Sequence, residues 1–519
     1  MIGTTRWGRA VRNLSAATAL AVISGAAFAQ ETLKVAITDE PPHLDTQMTT
    51  ATLTTIVNLN MMETLYAFNE AGEAVPFLVA SDELSEDGLT AVLTLRDDVK
   101  FHNGDTMSAQ DVVDSLDRWG AHGGRGKLLY DMIESVEATG DAEVTITFKG
   151  VFGPWKNLLA FVNGGPAIYP SEIIKDRGPE PLAPEENIGT GPFKFGEWRP
   201  NRYIELTKFE EYAPHDGPAD GYAGGHEALV DKLQFIAVPD VGTRVSGVQA
   251  GDYDYAERIT GDLYAELNDD PSVETIRHGA PTMPLLFFNS AGGIFKENFA
   301  LRRAIMAALT PSEAMAIAAG PEDLWDAQGA FYPKGNRWYT EGGLDSFPQQ
   351  GDPDKARQMA EEAGYKGEPI RFMLTTSYPI MYDTGNVLVQ QMKDAGFNID
   401  LQIYDWPTLV NRRAETDLWD IFETTHGAVP DPSLFTFLND NYPGWWTSPE
   451  KKELEAKFVG TTDADERMAL WTDLQALAYE QVPVFKPGDV YLYDIHGPNL
   501  EGLPEQLLIW PAFYGVAKN

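Results

Sequence analysis

The chain has 519 residues, 43% of them hydrophobic, which is enough to bury a large core and to form about two or three domains. It carries 39 Lys and Arg against 78 Asp and Glu, a formal net charge of −39. This charge would repel nucleic acid and anionic membrane surfaces, so neither is an expected partner. Cysteine is absent, which excludes disulfides and lipid attachment at a cysteine.

Residues 1–29 have the features of a secretory signal peptide. Three Arg precede a short apolar run, and Ala27-Phe28-Ala29 forms an A-x-A cleavage site before Gln30. No later segment approaches the roughly 18 apolar residues of a membrane span. We therefore expect a mature protein that is soluble in the periplasm and that is not a lipoprotein.

The first half of the mature chain predicts several short strands. Leu33–Ile37 is apolar and β-branched and predicts the first strand. Residues 90–104 and 135–150 are β-rich, and Gly140-Asp141 is typical of a hairpin turn. These two runs predict a small antiparallel unit.

The middle of the chain predicts a second hairpin, over residues 192–198 and 201–209. A strand over 229–238, a helix over 240–251 and a strand over 252–257 follow. The alternation of strands and helices indicates a mixed α/β fold.

The last third predicts helices and parallel strands. Helix starts are expected at Thr310-Pro311 and at Asp352-Pro353, where a capping residue precedes a proline. Residues 370–376, 385–396 and 397–406 then predict strand, helix and strand, a βαβ unit. Ligands of such units lie at the carboxyl ends of the strands, the edge where Thr375, Thr376 and Trp406 would lie.

Motifs for catalysis are absent. Residues 120–128 have the wrong glycine spacing for a phosphate-binding loop and predict a flexible surface loop instead. Ser448, three residues before Lys451, is typical of a helix N-cap. The eight His are scattered, without the i, i+4 pair of a zinc helix. We therefore predict no catalytic residue, no metal site and no cofactor.

Several short segments carry a resemblance to a known family: Met62–Tyr66, Ser85–Leu89, Leu95–Gly104, Ala109–Val113, Gly189–Phe193, Phe288–Ser290, Leu301–Ala304, Ala363–Tyr365 and Pro430–Pro432. Together and in this order they resemble the family 5 extracellular solute-binding proteins of ABC importers, whose members bind peptides, nickel complexes, opines and some sugars. The resemblance covers essentially the whole mature chain. It implies that His102, in the third of these segments, belongs to a scaffold turn and is not catalytic.

The resemblance implies a two-lobed periplasmic binding protein with a hinge and an extra subdomain in the first lobe. Such a protein closes over a small solute and presents the closed form to permease subunits in the inner membrane. Mapped onto this chain, the first lobe would consist of residues 30–60, 188–284 and 488–519. The extra subdomain would consist of residues 61–187, and the second lobe of residues 285–487.

The ligand is harder to predict. Peptide-binding members commonly hold the ligand's ammonium with an Asp where this chain has Ala428, and dipeptide binders use an Arg near Thr375 for the carboxylate. Because an unpaired buried charge costs several kcal/mol, we expect plain dipeptides to bind poorly and cationic, amidated or sugar-like solutes to bind better.

Polar and aromatic side chains near the implied cleft suit a ligand with apolar faces and hydroxyl, amide or cationic groups. The expected binding residues are Asp45, Met48, Thr49, Asn289, Tyr378, Trp406, Thr424, Thr425 and His426. Two other classes stay open: a secreted α/β hydrolase, and a chaperone-like periplasmic protein that binds many unfolded chains weakly. The expected state is a monomer.

Overall fold

The structure is a computed structural model that describes residue 3 and residues 31–519, apart from the side chains of residues 506 and 507. All of the predicted signal peptide except residue 3 lies outside the described residues. Within the described part, no helix combines the length and the apolar character needed to cross a bilayer.

An eight-stranded sheet forms the centre of the first lobe. Its strands lie in the spatial order Gln506–Leu507, Glu274–His278, Tyr493–His496, Tyr255–Ile259, Thr32–Ile37, Lys232–Ala237, Tyr203–Lys208 and Phe193–Arg199. The last two strands pair antiparallel, so the hairpin predicted for this region is confirmed. The predicted strand, helix and strand after it are also confirmed, because Val241–Ala250 is a helix that begins after its capping residue Asp240.

A four-stranded antiparallel sheet is the centre of the extra subdomain. Its strands lie in the order Val79–Leu84, Thr90–Leu95, Glu143–Phe148 and Ile133–Gly140. The hairpin predicted at Gly140-Asp141 is confirmed. The helix Ala109–His122 packs on this sheet, and its first turn is fixed by a capping box between Ser108 and Asp111.

A seven-stranded sheet is the centre of the second lobe. Six strands lie in the order Trp325–Asp326, Asp489–Val490, Thr282–Phe288, Ile421–Gly427, Ile370–Thr375 and Ile399–Tyr404, and Val484–Phe485 also pairs with Thr282–Phe288. The last two strands of the row are parallel, and the helix Pro379–Asp394 connects them, so the βαβ unit is confirmed. The sheet extends slightly beyond both limits, 285 and 487, that the resemblance implies for this lobe.

Smaller strand pairs complete the described part: Tyr66–Phe68 with Ala74–Pro76, Ala219–Asp220 with Ala223–Gly224, and Leu500–Glu501 with Ala517–Lys518. The α-helices are Thr52–Asn58, Ala109–His122, Gly126–Tyr130, Trp155–Ala160, Ser171–Ile174, Val241–Ala250, Tyr264–Asn268, Phe299–Ala307, Pro311–Ala319, Pro353–Glu362, Pro379–Asp394, Trp406–Arg413, Pro449–Val459 and Ala464–Gln481.

Three helix starts test the capping predictions. The side chains of Asp352 and Ser448 accept hydrogen bonds from backbone N–H groups three residues later, as predicted. The Thr310 side chain makes no such bond. Its hydroxyl accepts instead from Gly351 N at 3.0 Å, so this helix starts where predicted but without the predicted cap.

The prediction of a flexible loop over residues 120–128 is wrong. These residues end one helix and begin the next, and two of their four glycines, Gly120 and Gly126, allow close packing. A Cβ at Gly120 would overlap the Tyr130 ring, and a Cβ at Gly126 would overlap the Trp119 backbone. The glycine-rich sequence therefore reflects tight helix packing in the subdomain core.

Candidate functional site

A cavity of about 860 Å³ lies between the two lobes. Residues 279–281, which connect the eight-stranded sheet to the seven-stranded sheet, line part of it. The first-lobe wall is formed within residues 68–72, 219–222 and 502–514, and the second-lobe wall within 332–338 and 428–430. This volume lies within the range of small-molecule ligand sites, and both lobes contribute walls.

The walls of the cavity are rich in aromatic rings held by hydrogen bonds. The Tyr222 hydroxyl accepts from the backbone N–H groups of Ile509 and Trp510, at 3.1 and 2.6 Å, and lies 3.1 Å from Trp510 O as donor. In the opposite wall, Trp338 Nε1 donates to Pro430 O at 3.1 Å. These bonds fix the backbone at Trp510 and the ring of Trp338 before any ligand arrives, which lowers the entropy cost of binding.

Charged side chains occur only at the exposed part of the cavity lining. They are Glu70, Lys334 and Glu505, and all three are exposed to solvent. The buried lining is aromatic or small, and includes Tyr332 and Tyr514. Deep in the cavity a ligand would therefore meet ring faces, which suit apolar groups and stacking.

A polar cluster lies directly behind Tyr514. Its ring stacks on His226 with a centroid separation of 3.6 Å, and His226 Nδ1 lies 3.9 Å from Glu63 Oε1. Glu63 accepts hydrogen bonds from the Thr190 and Tyr212 hydroxyls, both at 2.7 Å. Burial raises the pKa of Glu63 to about 7 and lowers the pKa of His226 to about 3, so His226 is neutral at pH 7 and the two do not form an ion pair.

The predicted first-lobe residues do not line the cavity. Asp45 is buried and paired with Arg118 at 2.6 Å, and its carboxylate also accepts from Leu182 N. Met48 ends a short turn, and the Thr49 hydroxyl accepts from the Ala51 N–H. Their roles in ligand binding stay a prediction, and Asp45 has a structural role as well.

Asn289, in the second lobe, is held entirely by backbone groups. Its amide donates to Thr416 O and Trp419 O, and its carbonyl oxygen accepts from the N–H groups of Ala291 and Gly292. All of these bonds connect segments of the same lobe. They give Asn289 a structural role at the end of the strand Thr282–Phe288.

The structure brings Tyr378, Trp406 and His426 into one region of the second lobe. The Tyr378 and Trp406 rings meet edge to face at 5.4 Å, and the Arg413 guanidinium lies 5.4 Å from the Trp406 ring centre. Arg413 also lies over the Tyr442 ring, which packs against His426. Burial lowers the pKa of His426 to about 4.

Thr424, Thr425 and His426 belong to the strand Ile421–Gly427, which leads directly into the cavity wall at Ala428. These three residues therefore lie on the strand that precedes the second-lobe wall. The nine residues themselves lie outside the cavity lining, and their contact with ligand stays a prediction. The aromatic loops that do form the walls have no periodic sequence pattern, and only their tryptophans and tyrosines could have suggested them.

His102 is part of the scaffold, as predicted. Its Nδ1 accepts from Gly189 N at 3.2 Å, and its Nε2 lies 3.0 Å from Gly191 O. Burial lowers its pKa to about 4. Across residues 31–519 no group of three His, Asp or Glu side chains is arranged to hold a metal ion.

Two α/β lobes with an aromatic cleft between them, and an additional subdomain on the first, define a periplasmic binding protein of the type that closes over a solute. The model of the bacterial extracellular solute-binding proteins, family 5 (Middle), matches residues 73–447, and the chain belongs to this family. The family consists of solute-binding proteins that work with ABC transporter permeases and is not a family of enzymes. The expected fold and the expected binding role without catalysis are thereby confirmed.

Three similar proteins illustrate the family. A probable peptide ABC transporter periplasmic-binding protein of Sinorhizobium fredii is 28% identical, over 96% of this chain and 94% of its own length. The solved structure of CtaP from Listeria monocytogenes has a TM-score of 0.80 at 18% identity, over 94% of this chain and 99% of that one. AgaA of A. tumefaciens R10, solved with agropinic acid, has a TM-score of 0.76 at 22% identity, with the same coverage.

Proposed function

We propose that this protein captures one small solute in the 860 Å³ cavity and delivers it to the permease subunits of an ABC importer. The observation that carries the proposal is the pair of aromatic walls, one from each lobe, around residues 279–281. A ligand that touches both walls favours the closed form over the open form, which is the signal a permease can recognise.

The ligand is a peptide, a peptide-like molecule, an opine or a sugar-like solute. The S. fredii relative is named for peptides, and AgaA was solved with agropinic acid. The Trp510 ring in the first-lobe wall supports each of these classes, because sugars and side chains both stack on indole. The neutral Ala428 in the second-lobe wall supports a ligand without an ammonium group at that position.

Contacts between the extra subdomain and the second lobe support closure as the response to ligand. Gly153 N donates to Val459 O at 2.8 Å, and Asn157 Nδ2 donates to Asp431 Oδ2 at 2.7 Å. Leu434 and Val459 also pack against the core of the subdomain. The protein acts as a monomer in this scheme, since one chain supplies both walls of the cavity.

A thermal-shift screen tests the proposal, because a ligand that prefers the native state raises the melting temperature. The panel contains peptides, opines, oligosaccharides, quaternary amines and nickel chelates. Trp510→Ala should weaken the ligand found by about 1 to 3 kcal/mol, while Trp198→Ala, which removes a half-buried ring outside the cavity, should not. A panel without any shift, or equal effects of the two substitutions, contradicts the proposal.

Export and oligomeric state have their own measurements. We expect the chain in the periplasmic fraction with Gln30 as its first residue, which intact mass determines. Light scattering should give the mass of one chain, and small-angle scattering should show a smaller radius with ligand. A dimer, or an unchanged radius at saturating ligand, contradicts this part of the proposal.

A further inference from the structure

The two walls of the cavity carry opposite charges. Within residues 31–519, the charged side chains that line the first-lobe wall are those of Glu70 and Glu505, and the one that lines the second-lobe wall is that of Lys334. Asp220 adds a carboxylate beside the first-lobe wall, since its Oδ1 accepts from Glu70 N at 2.9 Å. A solute that spans the cleft therefore meets negative charge at one wall and positive charge at the other.

The aromatic rings of the two walls differ in what already contacts them. The guanidinium groups of Arg337 and Arg467 lie 4.8 and 5.2 Å from the centre of the Trp338 ring, in the second-lobe wall. They would repel a ligand cation from that ring. Across the described part of the chain, no Lys or Arg lies over the rings of Trp510 and Tyr514 in the first-lobe wall. A cation of the ligand would therefore meet these two rings without competition from a cation of the protein.

The groups behind the first-lobe wall do not place a positive charge at the cavity. Tyr514 stacks on His226, and burial lowers the pKa of His226 to about 3, so that ring is neutral at pH 7. Arg125 is one ring further from the cavity than Trp510, because it contacts Phe161, which packs against Trp510 at 6.0 Å. Neither His226 nor Arg125 belongs to the cavity lining.

The buried part of the lining selects the kind of cation. Within residues 31–519 it contains rings and small residues but no carboxylate. A primary ammonium has three N–H donors and is strongly hydrated, so it would lose water there without a charged acceptor. A quaternary ammonium has no donor to leave unpaired, a guanidinium is more weakly hydrated than an ammonium, and ring faces attract both. Glu70 and Glu505, exposed at the mouth, and the net charge of −39 attract such cations from a distance.

We infer that the solute carries a weakly hydrated cation, and that this cation binds against Trp510 and Tyr514 in the first-lobe wall. The inference rests on the proposed function and narrows its ligand class. It agrees with the expectation of a cationic solute, and it places the cation on the wall opposite Ala428. The cation belongs either to a side chain of a peptide or to a small organic molecule such as a quaternary amine.

The test measures the affinity of matched probes for the purified full-length mature protein by calorimetry. One set is the capped tripeptide acetyl-Ala-X-Ala-amide, in which X is trimethyllysine, Arg, Lys, norleucine or Glu, so that only X can carry a charge. The other set is choline and its neutral isostere 3,3-dimethyl-1-butanol. A preference for cations among the tripeptides indicates the peptide source, and a preference for choline over its isostere without one among the tripeptides indicates a small organic cation.

The order of affinities among the probes is the primary result. We expect the trimethyllysine and Arg tripeptides, or choline, to bind at least roughly tenfold more tightly than their neutral counterparts. The Lys tripeptide should lie between, because its ammonium loses more hydration, and the Glu tripeptide should bind most weakly.

Two variants separate the ring from the carboxylates. Trp510→Leu keeps an apolar side chain without a ring face, so it should weaken cationic probes about tenfold and neutral probes by less than about threefold. Trp198→Leu, at a half-buried ring outside the cavity, should change neither. Glu505→Gln should weaken cationic probes about two- to fivefold at low salt and not at about 0.5 M salt. Glu361→Gln, at an exposed carboxylate outside the cavity, changes the net charge equally and should match the wild type.

The outcomes separate the inference from the proposed function. If the wild type binds the cationic probes no better than the neutral ones, or if Trp510→Leu weakens both equally, the inference is overturned and the transport role stays intact. If no probe binds, the thermal-shift screen decides. A shift with neutral or acidic solutes only overturns the inference alone, a shift with quaternary amines supports it, and a screen without any shift contradicts both. If Trp510→Leu does not fold, the wild-type ratio of cationic to neutral affinity and the salt dependence of Glu505→Gln decide.

Discussion

The extra subdomain meets its two neighbours through different chemistry. At the junction with the first lobe, Arg118 of the subdomain helix forms an ion pair with Asp45, which lies near the first strand, and both are buried. At the junction with the second lobe, the buried carboxylate is Asp431, and its charge partner Arg467 belongs to the same lobe, at 2.9 Å. To this carboxylate the subdomain contributes only the neutral amide of Asn157.

This difference determines which junction can open. Separating Asp45 from Arg118 would leave two buried charges without partners, which costs several kcal/mol. Separating Asn157 from Asp431 leaves the ion pair of the second lobe intact and breaks one hydrogen bond that water can replace. We therefore expect the subdomain to move with the first lobe as one body and the second lobe to close against both.

The largest expected effect is at the first junction. Asp45→Asn keeps the shape of the side chain but leaves Arg118 without its charge partner. We expect the free energy of unfolding in denaturant titrations to fall by about 3 to 5 kcal/mol. Asp97→Asn, at an exposed carboxylate of the extra subdomain, should change it by less than about 0.5 kcal/mol. If Asp45→Asn lowered the free energy of unfolding by less than about 1 kcal/mol, the Asp45–Arg118 ion pair would not be what makes the first junction harder to open than the second.

Glu63 gives the first junction a pH dependence. Its folded pKa of about 7 lies above its ordinary value of 4.5 because of burial. Between pH 4.5 and pH 7 the folded state therefore binds more protons than the unfolded state. The contribution of Glu63 to the free energy of unfolding is largest below pH 4.5 and decreases as the pH rises to 7. The shift corresponds to about 3 kcal/mol.

Glu63→Gln removes that dependence, since the amide does not titrate. Measured at each pH against the wild type, the stability difference should shift in favour of Gln by up to about 3 kcal/mol between pH 4.5 and pH 7.5. The comparison cancels His102 and His226, whose lowered pKa values act equally in both proteins. If the stability difference between Glu63→Gln and the wild type did not change with pH, the pKa of Glu63 in the folded protein would lie near its ordinary value.

Gly153 tests the second junction. A Cβ at this position would overlap Thr461 O, so Gly153→Ala should prevent close approach of the second lobe. We expect a cost of about 1 to 3 kcal/mol for the closed form, seen as a larger radius in small-angle scattering, with the free energy of unfolding nearly unchanged. Gly150→Ala is the matched control, because nothing lies within 4 Å of its Cβ. Equal radii for the two variants would contradict the assignment of this contact to closure.

Local patterns predicted the fold well because most elements form from their own residues. The cap at Ser448 needs only the backbone three residues later, and the βαβ unit over residues 370–406 needs only its own apolar periodicity. Thr310 failed as a cap because Gly351, distant in sequence, donates to its hydroxyl. Where a long-range partner decides the outcome, the local pattern is not sufficient.

The site was less predictable for the same reason. Asp45 follows the first strand, as a ligand-binding residue would, but Arg118 is 73 residues away and its pairing cannot be inferred from spacing.

The smallest expected effect is that of Asn157→Ala at the second junction. The change removes the hydrogen bond to Asp431, which keeps its bonds to Arg467 and to the Ser433 hydroxyl. We expect the closed form to lose about 1 kcal/mol, a roughly fivefold shift toward the open form. The partner of the Gly153 N–H is Val459 O, on the other side of this junction, so the N–H is exposed to water when the junction opens. Its hydrogen exchange should therefore become about fivefold faster.

The exchange measurement separates the two junctions, since amides in the strand Thr90–Leu95 exchange only when the subdomain itself opens. Those amides should be unaffected by Asn157→Ala, and Asn103→Ala, at an exposed amide of the same subdomain, should affect neither set. If Asn157→Ala instead accelerated exchange throughout the four-stranded sheet, the junction with the second lobe would be stabilising the subdomain fold. If the subdomain needs this contact in order to stay folded, the junction cannot open when the lobes separate. The closing movement would then have to occur at a different junction.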